Sequence, residues 1–401
     1  MSLKKMEFIL VLAILFGIHL SLQSNVYVRA SYLLMALYIL ILLIKGKIPF
    51  TTKSMLAYIS ISVIGLIPYL LHDTSNITRS LNYLYYILQG FIVVFVIVKN
   101  KDIDWVKSII FVYWIFNISI GIYEIVTENH LVHANIYNYT QTITNVPLGL
   151  FFNQNDYGIF LSLVTPYFFI KYFNSKRQRI YYLMALSLNI FLIISTGSIG
   201  AYLTLAINLL IAFILIENKD KWKILYFPAL IFAVYNAFQN INIFEKIEID
   251  YILRKIARHS TSLDLIPTDR VNIISSYLNI FKDNLLGVGA GQATIVGKAN
   301  YGISINPHSL LVEVAVEYGL IGLMIILTLY FVYLYRLIRV MAIKHGSLDH
   351  DIVKKSVFIN YITMILWTNV PSRVLNGFDI FWIFIGLIIL ILYNSTNLNE
   401  V

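Results

Sequence analysis

The sequence contains no cysteine and few charged residues. Of its 401 residues none is Cys, and only 13% are Asp, Glu, Lys or Arg. The lack of cysteine excludes disulfides, thiolate metal sites and a cysteine nucleophile. Such low charge, with 59% hydrophobic residues and a mean hydropathy of +0.75, excludes a soluble globular protein. The chain is therefore predicted to be an integral membrane protein.

Long apolar runs alternate with short polar breaks along the whole chain. Runs of about 17 to 25 residues suit helices that cross a hydrocarbon core about 30 Å thick, and not the strands of a barrel. We predict an all-α polytopic protein in which residues 1–401 form a single membrane domain with about 12 transmembrane helices. The spans are centred in residues 8–23, 31–44, 54–71, 81–98, 106–126, 148–172, 180–195, 199–216, 224–238, 308–335, 356–370 and 378–393.

The basic residues predict the orientation of these spans. With both termini in the cytoplasm, most of the 30 Lys and Arg residues fall in cytoplasmic loops. Only Arg29, Arg79 and Arg373 then lie in short outer loops, as the positive-inside rule requires. The net charge of +9 is explained by this topology and does not imply a nucleic-acid partner.

A long outer loop is predicted between the ninth and tenth spans, at residues 239–307. Loops of that length usually carry function or structure of their own. Within it, Phe244–Arg258 and Arg270–Lys282 have helical spacing with one apolar side, which predicts amphipathic helices on the outer leaflet or over a cavity. We find no internal repeat of the kind that builds transporters from inverted halves.

Polar residues on the predicted outer side are the candidates for chemistry. They comprise Asn153 to Asp156, Arg254, Arg258, Arg270, the glycine-rich segment Gly287 to Gly291, and His308, which opens the tenth span. Each has a structural alternative. Asn153 to Asp156 could cap a helix, the two arginines of the first amphipathic helix could contact lipid headgroups, the glycines could form a flexible turn, and His308 could merely cap its helix.

The sequence around His308 matches a known motif. His308-Ser309 is followed by nine residues, then Gly319, two residues and Gly322. The run Phe151 to Asn155, the arginine of Thr268-Asp269-Arg270 and the turn Gly287-Val288-Gly289 fit the same pattern. Together these features resemble the O-antigen ligase and polymerase superfamily of bacterial membrane glycosyltransferases.

The resemblance implies an enzyme that transfers a glycan from an undecaprenyl-diphosphate carrier at the outer face of the bacterial cytoplasmic membrane. His308 would be the general base, because histidine can accept a proton near neutral pH. Arg270 would bind the diphosphate through charge-assisted hydrogen bonds, with Arg254 and Arg258 as weaker candidates. Asn155 would belong to the substrate site. Neither a metal nor another cofactor is required.

Two acidic residues and one missing arginine complete the prediction. Glu313 and Glu317 lie four apart on one face of the tenth span, where they would hold a basic side chain, shape the substrate cavity, or be protonated and purely structural. The family often has an arginine where this chain has Ile199. Another outer basic residue would replace it, and the candidates are Arg373, Arg79, Arg254 and Arg258.

The sequence is compatible with three functions. We favour a polymerase of lipid-linked repeat units for capsule, exopolysaccharide or wall polysaccharide. Polymerases of this family would be expected to work beside a chain-length regulator and a flippase. A ligase would pass the finished glycan to a different acceptor. A glycolipid flippase or transporter would require charges spread through several spans, but here the spans are nearly free of charge apart from Glu124, Glu313 and Glu317.

Overall fold

The described part of the chain is almost entirely helical. The structure is a computed structural model, and it describes residues 2–17, 21–22, 28–45, 52–71, 77–131, 146–151, 153–217, 268–303, 305–342, 348–371, 373–375 and 377–396. Besides the helices, Ser21–Leu22 (β1) and Val28–Arg29 (β2) pair as a two-residue antiparallel ladder.

Fourteen helices lie in these residues. In chain order they are α1 (Leu3–Phe16), α2 (Ala30–Ile44), α3 (Thr52–Leu71), α4 (Ile77–Asn100), α5 (Ile103–Thr127), α6 (Gln154–Asn174), α7 (Arg179–Ser195), α8 (Ile199–Leu215), α9 (Thr268–Asp283), α10 (Ala293–Tyr301), α11 (Leu310–Met341), α12 (Leu348–Ile362), α13 (Met364–Trp367) and α14 (Ile380–Thr396).

Three of the helices are long and apolar enough to cross a membrane, namely α4, α5 and α11. Shorter apolar helices lie at Leu33–Ile44, Met55–Pro68, Arg179–Ser195, Ile199–Leu215 and Ile380–Ser395. The predicted ninth span, at residues 224–238, and the first predicted amphipathic helix, at residues 244–258, lie outside the described residues. The predicted all-α character is therefore confirmed, whereas the number of spans stays a prediction.

Several predicted boundaries need correction. The first span was predicted to reach residue 23, but α1 ends at Phe16, where Gly17 caps it with a positive φ of 51°. The sixth was predicted from residue 148, but α6 begins at Gln154 because the Asn153 side chain accepts the amides of Asn155 and Asp156. The eleventh is divided at Thr363 into α12 and α13.

The chain folds as two compact units. The first comprises Met1–Ile109, Asp264–Val340 and Pro371–Val401, and in it α14 and α3 pack on α4, α1 packs on α2 and α4, and α9 packs on α10. The second comprises Ile110–Leu263 and Met341–Val370, and in it α6 packs on α7, α8 and α12. That all of these form one membrane domain stays a prediction.

Helix α11 is broken at Gly319, and the glycine-rich segment before α10 forms hydrogen bonds with the backbone at the break. Gly319 has φ 67° and ψ −163°, so the carbonyls of Val316 and Glu317 lose their helical donors. The amides of Val288 and Gly289 replace those donors at 2.8 and 3.0 Å. The Leu320 amide in turn donates to the Leu285 carbonyl at 2.8 Å. These three backbone groups beside the break are thus hydrogen-bonded.

The two backbones approach so closely that neither tolerates a side chain. A Cβ atom on Gly287 would lie 2.6 Å from the Glu317 carbonyl oxygen, and one on Gly319 would lie 2.4 Å from that of Leu285. The side chains of Tyr277, Ile280, Val288, Ala293 and Val316 form a buried core beside this contact. The segment from α9 to α11 is therefore one packed substructure.

Gly287→Ala should destabilise the protein far more than Gly302→Ala. Both glycines have a positive φ, which costs alanine about 1–2 kcal/mol. A Cβ on Gly302 meets nothing within 4 Å, whereas one on Gly287 overlaps the backbone of α11 and adds about 1–3 kcal/mol of overpacking. Thermal unfolding of the detergent-solubilised protein measures the difference. Equal shifts in the two variants would contradict the proposed packing role of Gly287.

Candidate active site

His308 lies immediately before α11 but does not cap it. The Ser309 side chain accepts the Val312 amide at 3.5 Å, and its carbonyl accepts the Glu313 amide at 2.8 Å. Ser309 is therefore the N-cap, which removes the structural alternative for His308. The histidine is half-buried and has φ 50°, a left-handed conformation that costs a residue with a side chain about 1–3 kcal/mol.

Two side chains hold the segment that leads to His308. The Tyr277 hydroxyl, from α9, donates to the Ile305 carbonyl at 2.7 Å. The Arg373 Nε donates to Asn306 Oδ1 at 2.8 Å. Burial raises the pKa of Tyr277 to about 12, so its hydroxyl remains a donor at any physiological pH. The backbone immediately before His308 is thus fixed by two side-chain contacts.

Two arginines converge on one hydroxyl beside this segment. Arg79, at the start of α4, and Arg373, in the segment before α14, each donate from Nη2 to the Thr294 hydroxyl, Arg373 at 3.4 Å. Thr294 lies in the first turn of α10, where backbone amides also point outward. We call Arg79, Arg373 and Thr294 the arginine site.

Two buried carboxylates on α11 balance this charge. Glu313 is 2% exposed and Glu317 is 1% exposed. Burial by itself would lower the pKa of Arg373, but the charges of Glu317 and then Glu313 outweigh that effect and raise it. Arg373 is consequently a permanent cation although it is half-buried.

Glu313 also joins three elements of the first unit. Its Oε1 accepts the Tyr83 hydroxyl of α4 at 2.6 Å, and its Oε2 accepts the Val374 amide at 3.3 Å. The Arg373 guanidinium lies over the Tyr83 ring, 5.7 Å from its centroid. The backbone on which Arg373 is carried is therefore fixed by Glu313, and its side chain by Asn306 and Thr294.

This arrangement is suited to binding an anion. Guanidinium groups match phosphate oxygens with two parallel donors and keep their charge at any physiological pH. A helix N-terminus adds outward-pointing amides and a partial positive charge. The guanidinium groups repel a metal cation, so a phosphate group is the ligand that the arginine site favours.

Only some of the predicted site residues lie near the arginine site and the segment that carries His308. Arg373, Glu313 and Glu317 lie together, beside the segment that carries His308. Arg270 is half-buried on α9, two turns before Tyr277, and burial lowers its pKa. Asn155 belongs to the second unit, where its Oδ1 accepts the Ser198 hydroxyl at 2.8 Å. Arg254 and Arg258 lie outside the described residues.

Sequence reasoning missed two residues of this region and undervalued a third. Thr294 and Tyr277 were not singled out, and Arg79 was considered only as a substitute for the arginine absent at Ile199. The available signal was weak. Arg79 stands near the start of an apolar helix, and Thr294 follows the glycine-rich segment, but only the fold brings them within hydrogen-bond distance.

Comparison with known proteins agrees with the motif around His308. A family model described as O-antigen ligase matches residues 182–327. The teichuronic acid biosynthesis protein TuaE of Bacillus subtilis (strain 168) is 25% identical over 332 residues, which is 78% of this chain and 66% of the relative. The chain thus spans just under two thirds of that relative's length.

The predicted resemblance to the O-antigen ligase and polymerase superfamily is confirmed. The part of this chain that the family model matches ends beyond the break at Gly319. It includes Arg270, Thr294, His308, Glu313 and Glu317. Members are membrane proteins of glycosyltransferase type, and the apolar helices of this chain suit membrane spans. Arg79 and Arg373 lie outside the matched region, on elements that the fold brings to it.

Tyr277→Phe should loosen the segment that carries His308. The change removes the hydrogen bond to the Ile305 carbonyl and should cost about 0.5–1.5 kcal/mol, because ring packing is retained. Hydrogen exchange at the amides of Asn306, His308 and Ser309 measures the effect. Tyr301→Phe, at an exposed tyrosine of α10, is the matched control and should leave these amides unchanged. Equal protection in both variants would contradict the holding role of Tyr277.

Proposed function

We propose that the protein polymerises undecaprenyl-diphosphate-linked oligosaccharide units at the outer face of the cytoplasmic membrane. The observation that carries this proposal is the convergence of Arg79 and Arg373 on Thr294, beside the segment that presents His308. A glycosyl diphosphate needs cationic groups for its leaving group and a base for the acceptor. The site offers both at the start of a membrane-length helix.

The reaction requires no nucleotide sugar, because a lipid diphosphate is already an activated leaving group. His308 takes the proton from the acceptor hydroxyl as the oxygen attacks the anomeric carbon. The bond from that carbon to the diphosphate oxygen breaks, and the diphosphate leaves with the electron pair. Attack opposite the leaving group inverts the anomeric centre.

Arg79 and Arg373 stabilise the charge that develops on the departing diphosphate. We infer that they replace the arginine that the family often carries where this chain has Ile199. Arg270 remains a candidate for a second contact with the same diphosphate. Its support is its position on α9, the helix whose Tyr277 holds the segment before His308.

The product is proposed to be a cell-surface polysaccharide. The relative from Bacillus subtilis bears a name that assigns it to teichuronic acid biosynthesis, and the family model is described as an O-antigen ligase. That description favours a ligase as the second candidate, in which the finished glycan passes to another acceptor. Both candidates use the same donor chemistry and differ in the acceptor.

Changing His308 tests the base and separates the two candidates. His308→Asn keeps a side chain that tolerates the left-handed backbone while removing the base, so activity should fall about 10²- to 10⁴-fold without loss of folded protein. Glycan length is read on gels from cells whose membrane levels of the protein equal wild type. His350→Asn, on α12, is the control and should leave glycan length unchanged.

Each result of the His308→Asn experiment has a separate meaning. Loss of long polymer with accumulation of single lipid-linked units supports a polymerase. Long lipid-linked chains that fail to reach their final acceptor support a ligase. Unchanged glycan would rule out His308 as the base.

Arg373→Lys and Arg79→Lys should each slow release of undecaprenyl diphosphate from a lipid-linked glycan by about 10- to 100-fold. Lysine keeps the charge but loses the paired donors, and a hydrogen bond to a charged group is worth about 1.5–3 kcal/mol. The purified protein is assayed for the released lipid. Arg339→Lys, where the guanidinium stacks on the Tyr335 ring, is the control and should match wild type. A wild-type protein that moves the lipid without cleaving it would instead be a flippase.

A further inference from the structure

Glu317 is a buried carboxylate without hydrogen bonds in the described part of the chain. Both of its carboxylate oxygens are shielded from solvent, and neither has a hydrogen-bond partner of standard geometry there. The Gly291 amide and the Tyr83 hydroxyl lie near the carboxylate but do not reach that geometry. A buried carboxylate in this condition is costly unless a neighbouring charge offsets it.

Glu313, one helical turn earlier on α11, differs from Glu317 in its hydrogen bonding. Both of its oxygens accept hydrogen bonds, one from Tyr83 and one from Val374. Hydrogen bonds to the charged form favour that form, and Glu313 would lose part of this stabilisation on accepting a proton. The two glutamates are therefore not equivalent, because the hydrogen bonds of Glu313 have standard geometry and Glu317 has none of that geometry among the described residues.

The groups that face Glu317 come from several elements. Among the described residues they are Arg79 and Tyr83 of α4, Tyr277 of α9, Glu313 and Tyr318 of α11, and Arg373 before α14. The tyrosines are neutral near physiological pH. The charges that matter are two guanidinium groups and two carboxylates, which balance while the arginine site is empty.

A diphosphate at the arginine site would upset this balance. It brings at least two negative charges to guanidinium groups that Glu313 and Glu317 already neutralise. In a poorly hydrated site, excess negative charge is relieved at least cost by protonating the carboxylate that has no hydrogen bonds. Glu317 meets that condition and Glu313 does not.

We propose that Glu317 is a positioning residue that acts through Arg79 and Arg373. As a carboxylate it is their counter-ion in the empty site, and it takes up one proton from solvent when a diphosphate binds. The O–H bond formed on Glu317 is the only covalent change that the step requires of the protein. The inference rests on the proposed function, because it assumes that the arginine site receives a diphosphate.

Proton uptake on binding can be counted directly. Farnesyl diphosphate is titrated by calorimetry into the purified full-length protein, at one pH, in two buffers with different heats of ionisation. Wild type should take up about one proton more than Glu317→Gln, since the ionisation of the probe itself is common to both proteins. Its affinity should also fall more steeply with rising pH, by up to about tenfold more per pH unit.

Glu128→Gln, at an exposed glutamate that follows α5, is the control and should retain the wild-type proton uptake. Equal uptake in wild type and Glu317→Gln would overturn the assignment while leaving the proposed function intact. Absence of binding to wild type would overturn the proposed function and this inference with it.

Infrared difference spectroscopy on wild type gives a second readout that does not depend on the folding of Glu317→Gln. A protonated carboxyl band should appear when farnesyl diphosphate binds. Binding without that band would overturn the inference.

Discussion

The substructure around His308 depends on the contact between two backbones at the break in α11. Because Gly319 leaves the helical conformation, the carbonyls of Val316 and Glu317 and the amide of Leu320 need new partners, and the segment from Leu285 to Gly289 supplies all of them. That contact fixes the glycine-rich segment and the start of α10, which carries Thr294. The position of Thr294, and with it the geometry of the arginine site, therefore depends on the break in α11.

The chain has few charged residues, and four of them lie close together in the first unit. Arg79, Arg373, Glu313 and Glu317 would each be costly alone in an apolar setting, but together they offset one another. Their hydrogen bonds differ in kind. Glu313 is bound by the backbone and by Tyr83, and the arginines share one threonine hydroxyl. The shared hydroxyl is a neutral acceptor, so it does not cancel the charge of either guanidinium group.

The parts of the fold that were predictable are those set by local pattern. Hydrophobic runs located most helices to within a few residues, and one-sided spacing located α9 as the helix predicted over Arg270–Lys282. The helix boundaries that were predicted wrongly, and the helix that was missed, also have local causes. Asn153 starts α6 late, Thr363 interrupts the predicted eleventh span, and α10 was too short and polar to stand out beside the glycine turn. Hydropathy averages over a window and cannot register a single cap or a single turn.

The sequence by itself determined that the chain is a helical membrane protein, that His308 lies next to the start of a long apolar helix, and that its motif resembles a glycosyltransferase superfamily. Composition, periodicity and spacing along the chain suffice for those conclusions. Only the tertiary structure decided that Arg79, Thr294 and Arg373 meet, that Ser309 and not His308 caps α11, and that Glu317 is without hydrogen bonds among the described residues. The first of these facts joins Arg79 to residues more than 200 positions away, and the others depend on individual hydrogen bonds. Neither kind of information is present in a local pattern, because such contacts form only when the helices pack.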